Sequence, residues 1–160
     1  MTYSITEDEL IKQTLKSAKT IAMVGVSSIK KEVSSNIKRR PSVIVMKYLQ
    51  EFGYRVIPVN PFSVGKKIYG ENTVAKLEDI SIPIDIVDVF RPSNEAPELA
   101  EQTIKIQAKV LWLQYGIQND EAKKIVNSKN ITYISNKCIK QEYQRLFLKV
   151  SPVFPALLND

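Results

Sequence analysis

Ile21-Ala22-Met23-Val24-Gly25-Val26-Ser27-Ser28 is the stretch on which the reading of this chain turns. Four apolar residues run into a glycine, and two small hydroxyl residues follow after one valine. An apolar run closed by a glycine turn is how a buried parallel strand presents backbone amides to a ligand at its C-terminal edge. Glycine suits that turn because a missing Cβ lets a phosphate come close to the backbone. The same residues also fit an ordinary buried strand and an ordinary turn, so the flanking segments must decide.

Upstream, residues 6–18 read as a helix capped by Thr6, with Glu9 in the capping-box position and Leu10, Ile11 and Leu15 on one face. Strand one covers 21–26. The segment 27–40 is polar and basic without a period and reads as a loop. Pro41 can open a helix over 42–52 (Val45, Met46, Leu49, Phe52), which Gly53 ends. Arg55 to Val59 reads as strand two, expected to end near Pro58 because proline lacks a ladder donor.

Gly65, Gly70 and Pro83 mark turns, with a short helical stretch near 74–78. Ile84 to Phe90 is strand three, followed by a helix capped by Ser93 or Asn94 with Pro97 in its first turn. Val110 to Leu113 is strand four. Asn119 caps a helix whose first turn holds Asp120 and Glu121, matching the helix dipole. Ile131 to Ile134 is strand five, and 139–148 a closing helix. Strands alternating with helices predict an α/β fold, a doubly wound open parallel sheet of about five strands with helices on both faces. Residues 1–160 read as a single domain, with 149–160 a short tail.

Composition removes whole classes of function. The chain has 160 residues, no histidine and one cysteine. Ser-His-Asp and Cys-His catalysis therefore have no base, and zinc sites built on histidine or several thiolates have no ligands. A lone cysteine fits a reducing compartment, and cytoplasm is expected. No apolar run approaches the roughly 20 residues of a membrane helix. Residues 1–10 hold Glu7, Asp8 and Glu9 with no basic segment ahead of an apolar one, so no signal peptide is expected. The net charge of +6 suggests an anionic partner, and Lys30, Lys31, Lys38, Arg39 and Arg40 crowd the segment after the glycine turn. That cluster lacks the interleaved aromatics of a nucleic-acid groove, so nucleic acid is not the expected partner.

In such a sheet a ligand lies beyond the strand C-termini where strand order reverses. The loops that line this place carry Gly25, Ser27 and Ser28 after strand one, Asn60 after strand two, Arg91 and Ser93 after strand three, and Gln114 and Gly116 after strand four. A dinucleotide fingerprint would read G-x-G-x-x-G with an acid near the end of strand two. Here the turn is Gly-Val-Ser-Ser and strand two ends Val59-Asn60-Pro61, which disfavours NAD. A Walker A loop is absent as well.

Five segments together carry a resemblance: Val24-Gly25-Val26-Ser27-Ser28, Tyr48-Leu49, Gly53 to Pro61, Asp85 to Arg91, and Trp112-Leu113-Gln114-Tyr115-Gly116. With Lys137-Cys138-Ile139-Lys140-Gln141-Glu142-Tyr143, they resemble the small stand-alone coenzyme A-binding proteins, relatives of the CoA-binding domain of the succinyl-CoA synthetase alpha subunit. The similarity spans roughly residues 15–147, in the family's order and spacing. It implies a Rossmann-like fold that binds coenzyme A or an acyl-CoA. It places the pyrophosphate over the turn Gly25, Val26, Ser27 and Ser28. The adenosine portion falls near Val59, Asn60, Pro61 and the Phe90-Arg91 loop, and Lys66 meets the 3′-phosphate. The segment 29–40 departs from the family by being longer and more basic.

Bland roles stand beside these. Ser27 and Ser28 suit a helix N-terminus, Asn60 an Asx turn ahead of Pro61, Arg91 a surface ion pair, and Trp112 the core. Cys138 reads as an inert buried thiol or as a redox-sensitive one activated by Lys137 and Lys140. Asp85 and Asp88, three apart on one strand, point to opposite faces and cannot act as a carboxylate pair. Three functions remain: a CoA-binding module without chemistry of its own, an NADP-linked or thioester-handling enzyme, and a regulatory interaction protein using the 30–40 loop.

Overall fold

The computed structural model describes residues 5–26 and 41–149. Ser27, Ser28, the basic 30–40 loop and nearly all of the 149–160 tail lie outside them. In chain order the elements are α1 (Glu7–Ser17), β1 (Thr20–Val24), α2 (Pro41–Glu51), β2 (Arg55–Val59), β3 (Lys67–Ile68) and β4 (Glu71–Asn72). After these come β5 (Ile86–Val89), α3 (Ala96–Lys105), β6 (Val110–Leu113), α4 (Asp120–Asn127), β7 (Thr132–Ile134) and α5 (Ile139–Phe147).

Five strands form one parallel sheet in the order β2-β1-β5-β6-β7. From β1 the chain steps outward to β2, then returns to the other side of β1 and steps away through β5, β6 and β7. Strand order therefore reverses between β1 and β5.

Alternation along each strand sends side chains to opposite faces, and both faces are covered. Ile21, Met23, Val56, Ile86, Val110 and Trp112 face α1, α2 and α5, meeting Ile11, Leu15, Met46, Leu49 and Ile139. Ala22, Val24, Val59, Val87, Leu111 and Leu113 face the other way, onto Leu99 and Ala100 of α3 and Ala122 and Val126 of α4. Trp112 is fully buried, and its indole Nε1 donates to Lys137 O at 2.8 Å. A ring of this size stabilises the core by about 3–5 kcal/mol relative to alanine, so the core reading of Trp112 holds.

β2 covers Arg55–Val59, the span read from sequence, and accommodates Pro58 one residue before its end. The reason lies in the edge position of β2. Arg55 N–H donates to Lys19 O, and Val59 O accepts from Gly25 N–H, so odd-numbered residues bond inward to β1. Pro58 turns its nitrogen to the outer edge, where no ladder donor is required. Its carbonyl there accepts Val74 N–H at 3.1 Å.

Four expectations shift. Strand one ends at Val24, because Gly25 adopts φ +96° and leaves the extended region. The helical stretch near 74–78 is a single tight turn at Leu77–Asp79, and the glycine turns enclose the small antiparallel pair β3-β4. Neither Ser93 nor Asn94 caps α3: a short turn at Ser93–Glu95 leads into it, and Ser93 Oγ instead accepts Gln118 N–H at 3.2 Å. Strand three begins at Ile86, since Asp85 sits at its entry with its carboxylate accepting the N–H groups of Lys19 and Thr20. Thr6 and Asn119 cap their helices as read, accepting the N–H groups of Glu9 and Ala122.

Candidate functional site

Gly25 stands at the place where strand order reverses. Its N–H donates to Val59 O at 2.9 Å, while the preceding Val24 O accepts Phe90 N–H at 2.9 Å, so the ends of β1, β2 and β5 are laced together. A Cβ on Gly25 would fall 2.9 Å from Arg91 Cδ and 3.0 Å from Phe90 O. Positive φ and close approach thus both require glycine here. Beside this turn opens a cleft of about 390 Å³, within the size range of small-molecule sites.

Four segments wall the cleft. Val24 and Gly25 come from β1, and Val59, Asn60, Pro61 and Phe62 from the end of β2. Ala75 and Lys76 close one side, and Arg91, Glu95, Glu98, Leu99 and Gln102 the other. Of the residues singled out from sequence, Gly25, Val59, Asn60, Pro61 and Arg91 meet here. Val26 is buried against the α1/α2/α5 face, and Phe90 packs partly on the same side. Gln114 is buried at the end of β6, where Oε1 accepts Ile139 N–H at 3.1 Å and holds the start of α5. Lys66 lies in the exposed turn after Pro61, its carbonyl accepting Thr73 N–H.

Asn60 makes the Asx turn. Its Oδ1 accepts Phe62 N–H at 2.9 Å, while Nδ2 donates to Val26 O at 2.9 Å. One amide thereby shapes the loop after β2 and ties it to the end of β1. Arg91 makes an ion pair with Glu95, Nη2 to Oε2 at 2.8 Å, both half-exposed. Lys76 Nζ lies 3.0 Å from Glu78. That carboxylate sits between Lys76 and Lys105, and they hold it below the usual range.

Sequence reading missed Phe62, Lys76, Glu98 and Gln102. The spacing of Glu95, Glu98, Leu99 and Gln102 is a legible signal, since residues three and four apart share one helix face. Lys76 had none, because its place follows from Val74 bridging to Val59, a pairing seen only in three dimensions.

Asp85 and Asp88 diverge as expected. Burial works against charge on Asp85, but two backbone N–H donors and Lys109 outweigh it and hold the carboxyl below its usual value. Asp88 is fully buried between Met23 and Trp112 with neither oxygen hydrogen-bonded among the described residues, and burial pushes its carboxyl well above the usual value. Cys138 is half-buried just ahead of α5, against the α1/α2/α5 face.

A doubly wound parallel sheet, an obligate glycine at its reversal point and a cleft beside it define an α/β domain of the small-molecule-binding kind. Residues 19–144 match the CoA binding domain family, and the chain belongs to it. It is 39% identical over 130 residues, 81% of its length, to the uncharacterized protein YneT of Bacillus subtilis (strain 168), of which 89% is covered. A solved structure from Thermus thermophilus, cell-free ID.343, is 36% identical with a TM-score of 0.78, over 89% of this chain and all of that one. A hypothetical protein from Pyrococcus horikoshii OT3 is 37% identical with a TM-score of 0.77, over 91% and 99%. No helix among the described residues is long and apolar enough to cross a membrane.

Proposed function

We propose that this protein binds coenzyme A or an acyl-CoA at the C-terminal edge of its sheet, without catalysis of its own. The observation that carries the reading is the Gly25 turn, where a required glycine at the strand-order reversal opens onto the cleft. Membership of the CoA binding domain family supports the choice of ligand.

In this reading the pyrophosphate lies over Gly25, Val26, Ser27 and Ser28, where backbone amides and hydroxyls suit an anion. The adenosine enters the cleft between Val59-Asn60-Pro61 and the Phe90-Arg91 loop. Its 3′-phosphate meets Lys66 after β2, joined by Lys76 in the cleft wall. Gln114 and Phe90 act from beneath, through the loops that they brace.

Calorimetry with coenzyme A, dephospho-coenzyme A, NAD and NADP tests this. Coenzyme A is expected to bind most tightly and the dephospho form more weakly. Absence of heat with coenzyme A, beside clear binding of NADP, would overturn the reading in favour of an NADP-linked protein.

A further inference from the structure

The outer face of α2 is apolar where a solvent-facing helix surface is normally polar. Ile44, Tyr48 and Phe52 recur four residues apart, the last just past the helix end, where its N–H still donates to Tyr48 O at 3.2 Å. That spacing stacks them into one stripe. Ile44 is 40% exposed and Phe52 39%, with Tyr48 half-buried between them. Ring contacts carry the stripe onto α5: Phe52 lies 4.7 Å from Tyr48 and 4.9 Å from Tyr143 between centroids, and Tyr143 stacks on Phe147 at 4.8 Å. On the other side stands Tyr69, 37% exposed, with the Lys47 ammonium 5.7 Å from its ring and its carbonyl accepting from Gln50. A contiguous apolar surface rimmed by charge marks a contact face, unlike apolar residues scattered singly.

The charges beside the stripe say what it meets. Lys47 and Glu51 lie one turn apart on the same flank of α2, both exposed, and neither makes an ion pair among the described residues. An acidic partner would satisfy Lys47 and repel Glu51, and a basic partner would do the reverse. A second α2 laid antiparallel across the first satisfies both, because a two-fold axis sets each flank against the same flank reversed. Lys47 then faces Glu51 of the second copy, and Glu51 faces its Lys47. Ile44 comes against Phe52 in the same way, with Tyr48 close to the axis.

We propose that α2 forms a two-fold interface between copies of this chain, centred on Tyr48 and closed by reciprocal pairing of Lys47 with Glu51. The helix is about 16 Å long at 1.5 Å per residue. Such a face is at the small end for a specific interface, so the dimer is reversible. α2 packs on one side of the sheet and the ligand cleft is walled by α3 on the other, so both clefts stay open in the dimer.

Sedimentation equilibrium across micromolar concentrations tests this on wild type, Lys47→Glu, Glu51→Lys, the double variant carrying both reversals, and Ile44→Ser. All three side chains are exposed, so the core is untouched. Wild type is expected to pass from monomer to dimer as concentration rises. Each single reversal sets like charges across the axis and weakens the dimer about tenfold or more, and Ile44→Ser weakens it by removing apolar contact. The double variant restores the pairs with their signs exchanged and recovers wild-type affinity. An equal mixture of the two single variants dimerises where neither does alone, since one supplies both anions and the other both cations. A monomer at every concentration, a dimer indifferent to the single reversals, or no recovery in the double variant and the mixture overturns the proposal.

Discussion

Gly25 and Asp88 are the two residues whose chemistry departs furthest from their surroundings. At Gly25 a side chain meets a left-handed backbone, which costs about 1–2 kcal/mol. It also meets a carbonyl oxygen 3.0 Å away that belongs to a laced strand end and cannot swing aside. Gly25→Ala is therefore expected to destabilise the fold by roughly 2–4 kcal/mol and to abolish coenzyme A binding. Denaturant unfolding and calorimetry on the same preparation measure both effects. Wild-type affinity in that variant would show that the turn does not form the ligand's floor.

Asp88 gives an expectation in pH. Below about 3.8, its ordinary value, the carboxyl is protonated in both the folded and the unfolded chain. As pH rises, the unfolded chain releases the proton while the buried group keeps it, so folding loses stability until the raised folded value is reached. Asp85 has the opposite sign: its contribution is present above its ordinary value and is lost only in stronger acid. Above the ordinary carboxylate range, and until the raised folded value of Asp88 is reached, the slope thus belongs to Asp88. Asp88→Asn is expected to gain on wild type across that window by up to about 1.4 kcal/mol per pH unit. Parallel urea-unfolding profiles for the two proteins would sink the assignment.

At the scale of elements, α4 depends on one residue that does two things. Asn119 Oδ1 accepts Ala122 N–H at 2.9 Å, and its Nδ2 donates to Ser93 O at 3.0 Å, joining the helix start to the loop after β5. Asn119→Asp keeps the cap and loses the second bond, while Asn119→Ala loses both. The alanine variant is expected to lose about 1–2 kcal/mol and the aspartate variant less, and thermal unfolding ranks them. Equal losses would mean that the cap itself adds little.

Elements of this kind were legible because each carries its own signal: a cap, a period, a glycine or an apolar run. Asn119 announced α4, and Val110 to Leu113 is the observed β6 without change. Where the reading failed, the deciding partner lay elsewhere in the chain. Ser93 looked like a cap, because its actual donor, Gln118, lies 25 residues away.

For the molecule as a whole, the glycine turn and the loop after β2 were readable because strand ends in this topology converge on one edge. The shared helix face of Glu95, Glu98, Leu99 and Gln102 is local and readable, but its place beside the end of β1 was not, since it follows from β5 pairing with β1 and carrying α3 to that edge. A ligand that bridges these parts should tighten all of them together. Binding only to the folded chain at one hundred times Kd adds about 2.7 kcal/mol of stability. For a domain of this size, that corresponds to a rise in Tm of about 5–10 °C. Coenzyme A is expected to produce such a rise, and dephospho-coenzyme A a smaller one at equal concentration, because it lacks the phosphate that Lys66 and Lys76 would meet. Lys66→Ala with Lys76→Ala should erase the difference between the two ligands while sparing the response to the dephospho form. Added salt should shrink the rise, since exposed charge pairs are screened within about 10 Å at 0.1 M. An equal rise with both ligands in the wild type would place the 3′-phosphate in open solvent, away from both lysines.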